Sequence, residues 1–250
     1  MSTTICAANW KMHHGPTGAR EFLERFLDAY EPIPDREVWF FPPTVSLESV
    51  ARRVAGQPGL RVGAQNAHWE AAGAFTGELS LPMALDAGAG ALLVGHSERR
   101  HVFGETDAET GRKVRAALDA GLVPVLCVGE TLEEREAGNT LDVVHRQLGA
   151  VDHLDRAALA TLVVAYEPVW AIGTGKNATP SDAAAVHDAI HGWFEARDVV
   201  RGTVPVLYGG SVKPGNAHEL LNEPAINGVL VGGASLDPES WRAICRAGLD

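Results

Sequence analysis

Short, nearly unbroken apolar runs recur along the chain, separated by longer stretches that mix apolar and polar positions. The runs predicted as strands are Ile5–Ala8, Glu37–Phe41, Arg61–Ala64, Ala91–Val94, Val123–Val128, Leu162–Ala165, Val204–Tyr208 and Gly228–Val231. Several are apolar at consecutive positions instead of alternating, which suits parallel strands covered on both faces. The intervening stretches carry helix signals. Thr106 with Glu109, and Thr131 with Glu134, have capping-box spacing. Thr179-Pro180 and Asp237-Pro238 set a cap residue before a proline at the first helical position. Leu118-Asp119-Ala120-Gly121 closes a helix on glycine.

Eight strands, each followed by a helical segment, within 250 residues match the number and length of a closed (β/α)8 barrel. A doubly wound open sheet is the alternative, but it usually has fewer strands and a GxGxxG turn after the first. Here Ile5–Ala8 leads into Asn9-Trp10-Lys11, with no glycine-rich turn. No linker, low-complexity tract or break in composition divides the chain. The expectation is one α/β domain over residues 1–250.

Composition narrows the class. Hydrophobic residues make up 46% of the chain, enough for a large core. The 21 basic and 32 acidic residues give a net charge of -11, which argues against nucleic acid as a partner. A small anionic ligand remains compatible, because charges are screened over about 8 Å at physiological ionic strength and a local lysine can dominate its surroundings. Cys6, Cys127 and Cys245 are odd in number and form no CxxC pair, so they read as buried thiols in a reducing compartment. The N-terminus lacks a basic segment followed by an apolar one. No apolar stretch approaches the roughly 18 residues of a membrane span. The expectation is a soluble cytoplasmic protein.

The reactive residue types fall at the C-terminal ends of the predicted strands, where a barrel of this kind gathers its loops around an active site. Asn9 and Lys11 follow the first strand, and His96 and Glu98 the fourth. Glu167 follows the sixth, Gly209-Gly210-Ser211 the seventh and Gly232-Gly233 the eighth. Lys11 in isolation reads as an ordinary surface lysine, although Trp10 and Met12 beside it suggest a partly buried cation needing a partner. Glu98 is a candidate for that partner, or for an ion pair with a nearby arginine. Ser97 and Glu98 are placed to open a short helix, whose N-terminal dipole disfavours an imidazolium at His96. A neutral histidine there can donate a hydrogen bond to a carbonyl oxygen. Two glycine pairs after the last two strands match the recurrent phosphate site of such barrels, although glycine pairs also occur in plain turns. No HxH, HExxH or DxD set is present, and no metal is expected.

Eight motifs in order carry a family resemblance. They are Ala8-Asn9-Trp10-Lys11-Met12, Gly63-Ala64-Gln65-Asn66, Gly73-Ala74-Phe75-Thr76-Gly77-Glu78 and Val94-Gly95-His96-Ser97-Glu98-Arg99-Arg100. Leu126-Cys127-Val128-Gly129-Glu130-Thr131, Ala165 through Lys176, Tyr208-Gly209-Gly210-Ser211-Val212 and Leu230-Val231-Gly232-Gly233-Ala234-Ser235-Leu236 complete the set. The chain resembles the triosephosphate isomerases over its whole length. The resemblance implies a TIM barrel that interconverts dihydroxyacetone phosphate and glyceraldehyde 3-phosphate without a cofactor, in glycolysis and gluconeogenesis. It implies that Glu167 is the base, His96 the neutral electrophile and Lys11 the cation facing the substrate oxygens. Asn9 would hold Lys11 and a substrate oxygen, and Gly173, Ser211, Gly232 and Gly233 would grip the phosphate. It further implies a lid over about 168–178 and a homodimer formed through a loop at about 65–79, with Thr76, Glu78 and Arg99 at the interface. Two departures stand out: His13-His14-Gly15, where Asn before Gly is common, and Asn177 in the lid's second hinge, where Thr or Val is frequent. A different phosphate-binding barrel enzyme, or a barrel that has lost catalysis and serves as a scaffold, would share the fold but need not share Lys11, His96 and Glu167.

Overall fold

The computed structural model describes residues 3–171 and 178–249. In chain order the first half contains β1 (Thr4–Asn9), α1 (Pro16–Asp28), β2 (Arg36–Phe41), α2 (Thr44–Val54), β3 (Leu60–Ala64), α3 (Leu81–Asp86), β4 (Ala91–Val94), α4 (Ser97–His101) and α5 (Asp107–Asp119). The second half contains β5 (Val123–Val128), α6 (Leu132–Glu136), α7 (Thr140–Leu148), α8 (Arg156–Leu159), β6 (Val163–Tyr166), α9 (Pro180–Glu195), β7 (Val206–Tyr208), α10 (Pro214–Leu221), β8 (Gly228–Val231) and α11 (Pro238–Arg246). The strands pair in sequence order, all parallel, and β8 closes on β1. The closing register sets Ile5 against Gly228 and Ala8 against Val231. This is the (β/α)8 barrel that the sequence predicts.

The consecutive apolar positions divide cleanly by parity. Ile5, Ala7, Trp39, Phe41, Ala91, Leu93, Val125, Cys127, Val163, Ala165, Leu207 and Leu230 form one cluster, which fills the barrel. Their strand neighbours, such as Cys6, Ala8, Phe40, Leu92, Leu126, Val164 and Tyr166, join the larger cluster beneath the helices. Successive side chains of a strand point to opposite faces, so a strand buried on both sides must be apolar at every position. Inside the barrel, alanines on β1, β4 and β6 share the interior with the bulk of Trp39 and Phe41, the mix of small and large side chains that fills a closed interior.

Local chemistry sets the ends. Thr106 and Thr131 form complete capping boxes with Glu109 and Glu134. Thr179 and Asp237 cap α9 and α11, each followed by proline. Gly121 takes φ 80° just after α5. Against expectation, β1, β2 and β3 each start one residue early and β1 also runs on to Asn9, while β6 and β7 lose residues at their starts. β6 starts one residue late, at Val163 paired with Val125, and ends on Tyr166, which pairs with Val128 on one side and Tyr208 on the other. β7 shrinks to Val206–Tyr208, because Pro205 has no N–H to give and Val206 bonds the Asn227 side chain instead. Met12 is also a correction: it is 93% exposed, while Trp10 is fully buried. Among the described residues, no helix is long and apolar enough to cross a membrane.

Candidate active site

At the C-terminal end of the barrel, the loops after β1, β4, β6, β7 and β8 enclose a cavity of about 570 Å³. Asn9, Lys11, His96, Glu167, Ser211, Gly232 and Gly233 all line it, so the expected residues from five separate loops are brought to one place. Gly173 lies outside the described residues.

Lys11 reaches the cavity through an unusual backbone. It has φ 51° and His14 has φ 60°, both in the left-handed region. Each such residue costs of order 1–3 kcal/mol and persists only when its surroundings over-determine it. Here the Lys11 amide donates to Asn9 Oδ1 (3.0 Å) and Gln65 Nε2 donates to the Lys11 carbonyl (2.9 Å). Its Nζ pairs with Glu98 Oε1 at 2.7 Å, which answers the question of its partner.

His96 is the N-cap of α4, and its Nδ1 accepts from the Glu98 amide at 3.2 Å. Nδ1 is therefore unprotonated and the ring proton sits on Nε2, which faces Glu167 Oε1 at 2.9 Å. The Ser97 amide donates to the other carboxylate oxygen, Oε2, at 2.9 Å. Glu167 is only 2% exposed, so it is no solvated turn residue. Burial acts to raise its pKa, but His96 and the Ser97 amide outweigh burial and hold it below the usual carboxylate range. For His96, burial acts to lower the pKa and the Glu167 carboxylate raises it, with a net rise. The helix N-terminus thus meets an opposing neighbour that the sequence did not reveal. The tautomer still favours a neutral ring, because a second proton on Nδ1 would displace the Glu98 amide.

Several supporting roles were not read from the sequence. Ser97 holds Glu167, as described. Gly209 lies against it: a β-carbon there would stand 2.8 Å from Glu167 Cγ, so only glycine leaves room for the carboxylate arm. Glu105 bonds the Gly95 amide at 3.0 Å, while Arg100 Nε donates to the Gly95 carbonyl at 2.7 Å. Gly95, the residue before His96, is therefore held through both its N–H and its carbonyl. Lys113, buried with Glu105 at 2.7 Å, completes this arrangement. A buried carboxylate far from any glycine motif gives no signal in a single sequence. Gln65 and Glu130 lie within motifs quoted above, yet their roles emerge only from contacts. Buried Glu130 receives Tyr166 Oη at 3.1 Å and Trp170 Nε1 at 2.9 Å, pinning the chain just after Glu167.

Lys11 therefore brings positive charge, His96 an N–H donor and Glu167 a carboxylate to one cavity, and the glycine turns after β7 and β8 bring close-approaching backbone to it. A family model described as triosephosphate isomerase matches residues 4–248. A triosephosphate isomerase of Symbiobacterium thermophilum is 50% identical, covering 99% of this chain and 97% of its own. Those of Aquifex aeolicus and Pseudomonas putida GB-1 are 46% and 48% identical, covering 96% and 99% of this chain and 97% and 99% of their own. With the barrel, the cavity and these matches in agreement over nearly the whole length, the chain is an isomerase that belongs to the triosephosphate isomerase family.

Proposed function

We propose that the family's reaction, interconversion of dihydroxyacetone phosphate and glyceraldehyde 3-phosphate, runs in this chain on Glu167, His96 and Lys11. The observation that carries this assignment is the contact between His96 Nε2 and Glu167 at 2.9 Å, in the cavity that Lys11 shares. Glu167 removes a proton from the carbon beside the carbonyl. The electron pair moves onto the carbonyl oxygen, giving an enediol(ate), and the proton returns to the neighbouring carbon. His96 Nε2–H and the Lys11 cation face the oxygens on which charge develops, where one positioned donor lowers the barrier by roughly 3–4 kcal/mol.

The base begins restrained. Both Glu167 oxygens accept hydrogen bonds, from His96 and from Ser97. Substrate entering between His96 and Glu167 takes over the His96 donor. A buried carboxylate that loses its donors has its pKa raised and becomes a stronger base. Asn9 and Lys11 orient the oxygens. Ser211, Gly232 and Gly233, with Gly173 assigned by resemblance alone, bind the phosphate through backbone N–H groups. By resemblance, a lid over about 168–178, of which residues 172–177 with Asn177 lie outside the described residues, would exclude water and keep the intermediate from losing phosphate.

The chain further reads as a single domain that works as a homodimer through the loop at about 65–79. What supports this is that exposed Met12 and Phe103 line, with Gly77 and Glu78 of that loop, a cavity of about 390 Å³ that reaches Lys11 and Glu98, and that Phe75 within the loop is exposed too. Thr76 and Glu78 are exposed beside it. Arg99 is committed to Glu105 within its own chain, at 3.2 Å. Sedimentation equilibrium should give twice the chain mass; a monomer at micromolar concentration would refute the dimer. Three free, buried cysteines suit a reducing, cytoplasmic setting.

The decisive assay supplies glyceraldehyde 3-phosphate and follows dihydroxyacetone phosphate. Turnover by the folded protein is expected, and its absence would sink the assignment.

A further inference from the structure

His14 belongs to the one part of the first loop that departs from the family's common pattern, and the structure gives it a specific task. Its Nε2 lies 3.0 Å from the carbonyl of Leu236. That carbonyl ends the tight turn Gly233–Ser235, which follows Gly232 directly. A carbonyl accepts only, so Nε2 carries the proton and donates. Burial, first among the influences, holds the His14 pKa below its ordinary value, so the ring is neutral near pH 7.

The ring itself is fixed. It meets Trp10 edge-on with centroids 4.8 Å apart and lies 5.4 Å from Phe22. Its own carbonyl receives Ser46 Oγ at 2.8 Å. Trp10 immediately precedes Lys11. Across the gap, a β-carbon on Gly232 would stand 3.2 Å from Lys11 Cε, so the lysine arm lies directly against the glycine turn. Any shift of one loop relative to the other therefore changes where the cation stands with respect to the backbone N–H groups of Gly232 and Gly233.

We propose that His14 is a positioning residue that ties the loop carrying Lys11 to the turn carrying Gly232 and Gly233, setting the spacing between the cation and the backbone anion site. The inference rests on reading these two loops as the site of the substrate's charged groups. His14 touches no substrate; it acts through Lys11 and the turn.

Two substitutions separate this role from simple structural support. His14→Ala removes both ring and donor. His14→Gln keeps an N–H donor of similar reach. For each, KM and kcat for glyceraldehyde 3-phosphate are measured together with the dissociation constant of inorganic phosphate and the melting temperature. In His14→Ala, KM and the phosphate dissociation constant should rise together by roughly tenfold, the size of one lost hydrogen bond, with a smaller change in kcat. His14→Gln should recover both to within about threefold of the starting protein. The proposal is overturned if His14→Ala only lowers the melting temperature while KM and phosphate binding stay put. It is equally overturned if His14→Gln, as stable as the parent, shows the full loss. Failure of the underlying reading looks different, because the parent protein itself would then turn over no triose phosphate. The phosphate titrations would still compare the variants, and equal dissociation constants for parent and His14→Ala would count against His14.

Discussion

Glu167 sits at the meeting point of geometry and proton affinity, and small changes to it should separate the two. Glu167→Asp withdraws the carboxylate by about one methylene while keeping its charge. We expect kcat to fall by roughly 10²-fold or more with KM changed only a few-fold, since misplacement by about 1 Å damages the transition state selectively. A dominant KM effect would remove Glu167 as the base. Lys11→Met should weaken both binding and turnover severely; near-parental kinetics would reduce Lys11 to a structural partner of Glu98. The sequence made these residues legible because each falls just after a strand, within a motif of distinctive composition. It left their mutual restraint hidden. That His96 and Ser97 both hold Glu167, and that Glu98 pairs with Lys11 instead of an arginine, depends on loops separated by many residues coming together.

Among the elements, the turn from β4 into α4 has the most to reveal. The Gly95 peptide is held by Glu105 and Arg100, and Glu105 also compensates buried Lys113. Burial works to raise the Glu105 pKa, yet Lys113 and Arg99 bring it below the usual carboxylate range. Removing one partner of such a pair leaves an uncompensated buried charge. Glu105→Leu should therefore lose roughly 3–5 kcal/mol in urea unfolding and also lower kcat, because the peptide that aims His96 is released. Full activity in the surviving folded fraction would show that the clamp is irrelevant to His96. Strand and helix ends were legible wherever local chemistry decides them, as at Thr106, Thr131, Thr179 and Asp237. They were less so at β7, where Pro205 within the predicted run and the Asn227 side chain beyond it decide where pairing starts.

For the whole molecule, acid stability has an identifiable contributor. His187 is completely buried between α9 and the barrel, and its Nδ1 lies 3.2 Å from the Ala225 carbonyl that also meets His191 Nε2. Burial pushes its pKa down to about 3 from 6.5. As pH falls below 6.5, the unfolded chain binds a proton that the folded chain refuses. Stability is therefore fully present above pH 6.5 and declines toward pH 3, by about 1.4 kcal/mol per unit. Between pH 6.5 and 5 the loss from this residue should be about 2 kcal/mol, measurable by urea titration and reduced in His187→Gln. An identical slope in that variant would acquit His187. The barrel was legible from eight apolar runs, but a buried histidine is indistinguishable in sequence from the nine others.

The pairing of Ile5–Ala8 with Gly228–Val231 has a consequence for synthesis. A ribosome makes the chain from its N-terminus, so one edge of β1 waits for a partner more than two hundred residues away. Until β8 emerges, β1 and β7 each present unpaired N–H and C=O groups, and unpaired edges recruit other chains. Nascent chains halted just before Gly228 should therefore be protease-sensitive and prone to self-association, becoming resistant only when release of the last strand shuts the ring.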